Sequence, residues 1–232
     1  MRIVGLMKTT LLDYPGKVAS TVFTGGCNFR CPYCHNGDLV LSHTTMEPYS
    51  EEEIFEHLSK RKNTLGGVCI TGGEPTLQTD LPNFIAKVKE LSLLIKLDTN
   101  GTNPTMLTKL LDDKLLDYVA MDIKHSKSKY NEVACMENFS LASIEESVEI
   151  LKGSNIEYEF RTTVTRQLHS IDDFKKIGKW ISGSKAYFLQ PYKESDQVIS
   201  KIFSTYTSEE FDEILDILRN YNIENVDVRA LD

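Results

Sequence analysis

The stretch Val18-Ala19-Ser20-Thr21-Val22-Phe23-Thr24-Gly25-Gly26-Cys27-Asn28-Phe29-Arg30-Cys31-Pro32-Tyr33-Cys34 sets the reading of everything around it. Val18 to Phe23 is an apolar, β-branched run of strand length. It delivers the chain into a loop with three cysteines in eight residues, spaced C-x3-C-x2-C, and no fourth cysteine follows nearby. Closed structural zinc sites and electron-transfer clusters take four protein ligands. Three thiolates on a cubane leave one iron open to a substrate or cofactor. The competing reading is a zinc ion closed by His35, Cys69 or a carboxylate, although structural zinc prefers paired C-x2-C knuckles. Gly25 and Gly26 let backbone approach whatever the loop holds.

Outward from this segment, strand-like runs recur at Val68 to Thr71, Leu93 to Asp98, Tyr118 to Asp122, Ile156 to Val164, Ala186 to Gln190 and Val226 to Val228. Helical spacing fills several of the intervals. Ser50-Glu51-Glu52-Glu53 reads as a capping box opening a helix through Lys62. Asp80 is placed to cap Leu81 to Leu91. A helix starting at Ser143 or Ile144 runs to Gly153, read as a C′ glycine. Asp172 to Ile181 and Ser208 to Tyr221 complete the set. Alternating strands and helices imply right-handed βαβ units and parallel strands. The expected fold is therefore α/β, a single-domain partial (β/α)6-type TIM barrel spanning residues 1–232, without repeats or linkers.

Composition narrows the function classes. The chain has 232 residues, 41% of them hydrophobic and 26% charged, enough to build a sizeable core. A net charge of -8 argues against nucleic acid as a partner. No apolar run approaches the length that spans a bilayer, and the charged start does not resemble a signal peptide, so a cytoplasmic protein without membrane attachment is expected. Five cysteines, three of them clustered, favour a metal over a disulfide framework. Cys69 and Cys135 read as bystanders.

In parallel α/β folds, chemistry collects at the C-terminal ends of strands. Polar motifs sit there repeatedly: the cysteine loop, Gly72-Gly73-Glu74-Pro75, Asp98-Thr99-Asn100-Gly101, Asp122-Ile123-Lys124, then Arg161 with Thr163, and Gln190-Pro191-Tyr192. Each has a plainer reading as well. The glycine pair could be a simple turn, Asp98 a cap or turn residue, Arg161 an ion pair between strands, and Lys124 a solvated side chain. No general acid–base dyad is visible, and no catalytic side chain is assigned.

The cysteine spacing with Tyr33 before the last thiol resembles the radical S-adenosylmethionine superfamily. The strings Asp13-Tyr14-Pro15-Gly16 and Phe23 to Asn36 resemble the activating enzymes of glycyl radical enzymes, and among these the anaerobic ribonucleoside-triphosphate reductase activating proteins. The resemblance implies that Cys27, Cys31 and Cys34 hold a [4Fe-4S] cluster whose fourth iron binds S-adenosylmethionine. It further implies cofactor contacts from Gly72, Gly73, Glu74, Asp98, Thr99, Asn100, Asp122, Lys124 and Arg161, with a monovalent cation beside the carboxylates, as in pyruvate formate-lyase relatives. The implied reaction is one-electron cleavage to methionine and a 5′-deoxyadenosyl radical, which takes hydrogen from a glycine of a partner glycyl radical enzyme. Flavodoxin or ferredoxin would donate the electron. The alternatives are a small-molecule enzyme similar to 7-carboxy-7-deazaguanine synthase, an activase of pyruvate formate-lyase type, and a zinc-binding interaction module. Pro191-Tyr192-Lys193 departs from the relatives' Pro-Tyr-His, which removes the histidine at that position.

Overall fold

A computed structural model of the chain describes residues 1–137 and 139–229. Ala230 to Asp232, the end of the C-terminal tail, lie outside the described residues. The chain forms two compact units, Met1–Asn28 with Asp38–Ala120, and Phe29–Gly37 with Met121–Asp232.

In the first unit, β1 (Ile3–Thr10) pairs antiparallel with β2 (Ala19–Thr24). β2 then pairs parallel with β3 (Gly67–Gly72), and β3 with β4 (Leu94–Thr99). Sheet order follows chain order. Val22, Val68, Ile70, Ile95 and Leu97 are fully buried, as expected for parallel strands covered on both faces. A short helix, α1 (Gly37–Leu41), follows the cysteine loop. Helix α2 (Glu51–Arg61) starts at the anticipated capping box: Glu53 N–H donates to Ser50 Oγ at 3.1 Å, and Ser50 N–H to the Glu53 carboxylate at 2.8 Å. Helix α3 (Leu81–Glu90) buries Leu81, Phe84, Ile85 and Val88. Asp80 stands at its N-cap but makes no capping bond, contrary to the sequence expectation. Helix α4 (Pro104–Asp112) is absent from the sequence reading, although Asn103 caps it and Pro104 opens it.

Strand β5 (Tyr118–Asp122) carries the chain from the first unit into the second. There β6 (Glu157–Val164), β7 (Ala186–Pro191) and β8 (Asn225–Val228) pair parallel in chain order. The connections carry α5 (Tyr130–Ala134), α6 (Leu141–Gly153), α7 (Ile171–Trp180) and α8 (Ser208–Leu218). Helix α6 begins earlier than expected, and Gly153 is its last residue, followed by an extended Ser154, rather than a left-handed C′ residue. The seven anticipated strands all form. β1 was missed because most of its outer residues, including Met7, Lys8 and Thr9, are exposed, which hides the strand pattern. No helix among the described residues is long and apolar enough to cross a membrane.

Candidate active site

In the first unit, two glycine turns lie against each other. β2 ends into Gly25-Gly26-Cys27, and β3 ends into Gly72-Gly73-Glu74. Gly73 N–H donates to Thr24 O at 2.9 Å and Glu74 N–H to Gly26 O at 2.8 Å. A side chain at Gly73 would put Cβ 2.0 Å from Gly26 O, and Gly72 has a φ of 115° with Thr24 backbone 2.4 Å from any Cβ. Only glycine fits this approach. The two turns thus lock the backbone that presents Cys27.

Glu74 is fully buried. Its Oε1 accepts from Thr76 N–H (3.0 Å), Thr76 Oγ1 and Thr99 Oγ1 (2.7 Å), and its Oε2 from Asn100 N–H (2.7 Å). Both oxygens are occupied within the protein, so Glu74 welds the glycine turn to the Asp98–Gly101 turn. Burial raises its pKa, against the opposing pull of those hydrogen bonds. Asn100 extends the connection: its Nδ2 donates to Asn28 Oδ1 at 2.9 Å and lies 3.8 Å from Cys27 Sγ, while its Oδ1 accepts from Thr102 N–H at 3.0 Å. An amide in this place would tune the basicity of the sulfur if it held a metal. Asp98 pairs with Lys96, a side chain the sequence reading passed over.

The second unit carries Cys31, Cys34, Asp122, Lys124 and Arg161. Cys31 is buried, and Cys34 N–H donates to Cys31 O at 3.0 Å, tightening the loop. The segment after β7 pins this loop: Ser200 N–H donates to Pro32 O at 2.8 Å and Gly37 N–H to Gln197 O at 3.2 Å. Asp122, at the end of β5, accepts from Lys124 Nζ at 2.8 Å and Arg161 Nε at 3.1 Å. Burial alone would raise the Asp122 pKa, but the two cations outweigh it and bring it down to about 2. Burial would likewise lower Lys124, yet Asp122, Cys31 and Tyr33 hold it well above the ordinary lysine range. Lys124 is therefore a fixed positive charge. The plainer reading of Arg161 is also realised, since its pair with Asp122 ties β6 to the end of β5.

Two stacked histidines that carry no pattern in the sequence pack together here, and one of them, His169, holds the Lys124 backbone. His169 Nε2–H donates to Lys124 O at 3.0 Å, across 45 residues of chain, and its Nδ1 accepts from Thr165 N–H at 3.2 Å. His125 Nε2–H donates to Leu168 O at 2.8 Å, and the two rings stack at 4.8 Å. Both bonds of His169 require the neutral ring. Burial, with His125 beside it, lowers its pKa from 6.5 to about 4. A depressed histidine contributes stability that is present above the unfolded pKa and lost as pH falls through the folded one. Unfolding free energy is therefore expected to drop by roughly 3 kcal/mol between about pH 6.5 and pH 4 on account of this group. His169→Gln should flatten that part of the profile in urea titrations at stepped pH.

The residues present fit a cluster and a bound nucleotide-like ligand. None of the three loop cysteines is in a disulfide, so each sulfur can serve as a thiolate ligand. In the second unit, Tyr33 Oη, His35 Nε2 and Tyr192 Oη are buried without hydrogen-bond partners among the described residues. The His35 and Tyr192 rings lie 5.6 Å apart. Buried polar atoms of this kind cost free energy unless something completes them.

A model of the radical SAM superfamily matches residues 21–181. The chain belongs to that superfamily. This radical SAM protein is 35% identical, over 84% of its length and 81% of the relative's, to a putative glycyl-radical enzyme activating enzyme of Methanocaldococcus jannaschii. It is 34% identical to the pyruvate formate-lyase-activating enzyme of Clostridium pasteurianum, over 53% of this chain and 52% of that one. Among solved structures, SuiB of Streptococcus suis bound to S-adenosylmethionine superposes with a TM-score of 0.67 at 15% identity, over 89% of this chain and 48% of that one. The chain thus spans about half the length of the latter two proteins. The likeness to SuiB carries the fold, α/β with mostly parallel strands, as anticipated. Membership of the superfamily implies an enzyme that uses a [4Fe-4S] cluster and S-adenosylmethionine.

Proposed function

We propose that this protein is a glycyl radical enzyme activase. Cys27, Cys31 and Cys34 would hold the four-iron cluster. The Gly72-Gly73 backbone, set by Glu74, Thr99 and Asn100, would receive the methionine end of S-adenosylmethionine, and Lys124, Asp122 and Arg161 would supply fixed charge around it. When bound, cluster and cofactor together supply one-electron cleavage of the sulfonium to methionine and a 5′-deoxyadenosyl radical. The protein's own residues bind, orient and exclude water. Glu74, fully buried and hydrogen-bonded, and Asp98, half-buried and paired with Lys96, serve that purpose and not acid–base chemistry.

The observation that carries this reading is the pairing of the cysteine loop with the glycine turn, in a chain so similar to the archaeal putative activase along most of its length. The partner is a large polypeptide with a radical-bearing glycine, most simply anaerobic ribonucleoside-triphosphate reductase. Flavodoxin or ferredoxin serves as the electron donor, and the whole of residues 1–232 acts as one cytoplasmic radical SAM domain. The shorter match to the pyruvate formate-lyase-activating enzyme supports an activase of that type as the second reading.

The test is anaerobic incubation of the reconstituted, reduced protein with S-adenosylmethionine and a candidate partner. A glycine-centred doublet in the partner's EPR spectrum is expected, with methionine and 5′-deoxyadenosine as products. Cofactor cleavage that proceeds on a free metabolite, with no radical on any candidate partner, would sink the activase assignment.

A further inference from the structure

Lys96 sits in the middle of β4, where a parallel strand covered on both faces ordinarily carries apolar residues. Its side chain is 2% exposed. Ile95 and Leu97 on either side point to the opposite face and are fully buried. Lys96 and Asp98 share a face because side chains alternate along a strand. Lys96 Nζ reaches Asp98 Oδ1 directly, and Cys69, its register partner on β3, lies 3.8 Å away through Sγ. An ammonium buried this deeply persists only when paired.

This arrangement conflicts with a free monovalent cation at Asp98. A second positive charge beside the carboxylate would face the Lys96 ammonium at close range in a poorly screened interior. In the second unit, Asp122 is likewise already paired, with Lys124 and Arg161. Asp98 and Asp122 therefore each carry a side-chain cation of their own.

We propose that Lys96 is a tethered ammonium that takes the place of a free alkali-metal ion at Asp98, so that this protein binds S-adenosylmethionine without added Na+ or K+. The inference rests on the radical SAM reading of the site and concerns only the origin of one charge. Lys96 acts as a positioning residue through Asp98. Evolution of a built-in cation also removes the entropic cost of recruiting an ion for each binding event.

The experiment uses the anaerobically reconstituted protein in a tetramethylammonium buffer, whose cation is too bulky to replace a bare ion. Binding of S-adenosylmethionine to the protein with its cluster oxidised, where no cleavage occurs, is titrated by calorimetry to obtain a Kd, with and without excess KCl, NaCl or NH4Cl. For the wild type, the Kd is expected to change by less than about twofold between salts, the scale of general screening. Lys96→Met is expected to weaken binding by about tenfold or more in tetramethylammonium. K+ or NH4+ should restore it. Lys96→Met combined with Asp98→Asn, which removes both charges together, should bind weakly with no response to salt.

A wild-type Kd that tightens tenfold on adding K+ or Na+ overturns the inference and leaves the activase reading standing. Lys96→Met that binds as tightly as wild type in tetramethylammonium overturns it as well. If neither variant folds, the wild-type salt series decides alone. Failure of the wild type to bind S-adenosylmethionine in any salt overturns the inference together with the reading beneath it.

Discussion

Cys31→Ala is expected to yield a folded protein that does not assemble a full four-iron cluster and does not cleave S-adenosylmethionine. Cys31 is 6% exposed and lies within the electrostatic reach of Lys124. The thiolate is the form that ligates iron. Alanine deletes the ligand yet removes little volume. The apoprotein should lose about 1 kcal/mol of stability, typical of a single substitution. For a chain of this size that is roughly 2–4 °C in Tm. Iron content after anaerobic reconstitution, cleavage products and the apoprotein melting curve together check the prediction. Cys135→Ser is the control: Cys135 is exposed at the end of α5 and should leave iron content unchanged. Full cluster content in Cys31→Ala would remove this thiol from the ligand set.

Glu74→Ala is expected to fail by a different route, through the fold. The carboxylate satisfies the buried N–H groups of Thr76 and Asn100 and the hydroxyls of Thr76 and Thr99. Alanine would leave two buried backbone donors without partners, and each costs about 1–3 kcal/mol. A loss of about 2–5 kcal/mol follows, or on the order of 10 °C in Tm. The glycine turn would then lose its tie to the Asp98–Gly101 turn, and Asn100 its fixed place beside Cys27. Glu74→Gln should be intermediate, because the amide keeps one acceptor but turns its NH2 toward other donors. Thermal melts of the apoproteins separate the cases. A Glu74→Ala protein as stable as wild type would show that the carboxylate does not hold the turns together.

These two residues also show what the sequence could and could not reveal. The cysteine loop stands out in the sequence because three thiols that share one loop must lie close along the chain. Glu74 was legible as a motif, but its four partners were not, since Thr99 and Asn100 are brought to it only by the pairing of β3 with β4. Most of the architecture was readable for the same local reason: seven strands announced themselves as short apolar runs, and Ser50 with Glu53 marked a helix start. Strand β1 was hidden by its exposed residues, and α4 went unread despite the Asn103-Pro104 start signal. Asp80 looked like a cap and forms no capping bond.

The side chains that needed the fold to be noticed are the buried polar ones. Lys96 reads in sequence as a break in an apolar run. Only the strand register places it beside Cys69, on the same face as Asp98. A lysine two residues before Asp98, on the same face of an otherwise apolar parallel strand, was the available signal. His169 offers none, because its bond to the Lys124 carbonyl closes 45 residues of chain.

The central claim concerns the iron left without an amino-acid ligand by Cys27, Cys31 and Cys34. Mössbauer spectroscopy on protein reconstituted with isotopically enriched iron addresses it most directly, recorded before and after S-adenosylmethionine is added. The expected result is a four-iron cubane in which a single iron site changes its isomer shift on cofactor binding while the other three stay as they were. A cubane indifferent to the cofactor, or a protein that takes up a lone tetrahedral ion instead of iron–sulfur, would contradict it.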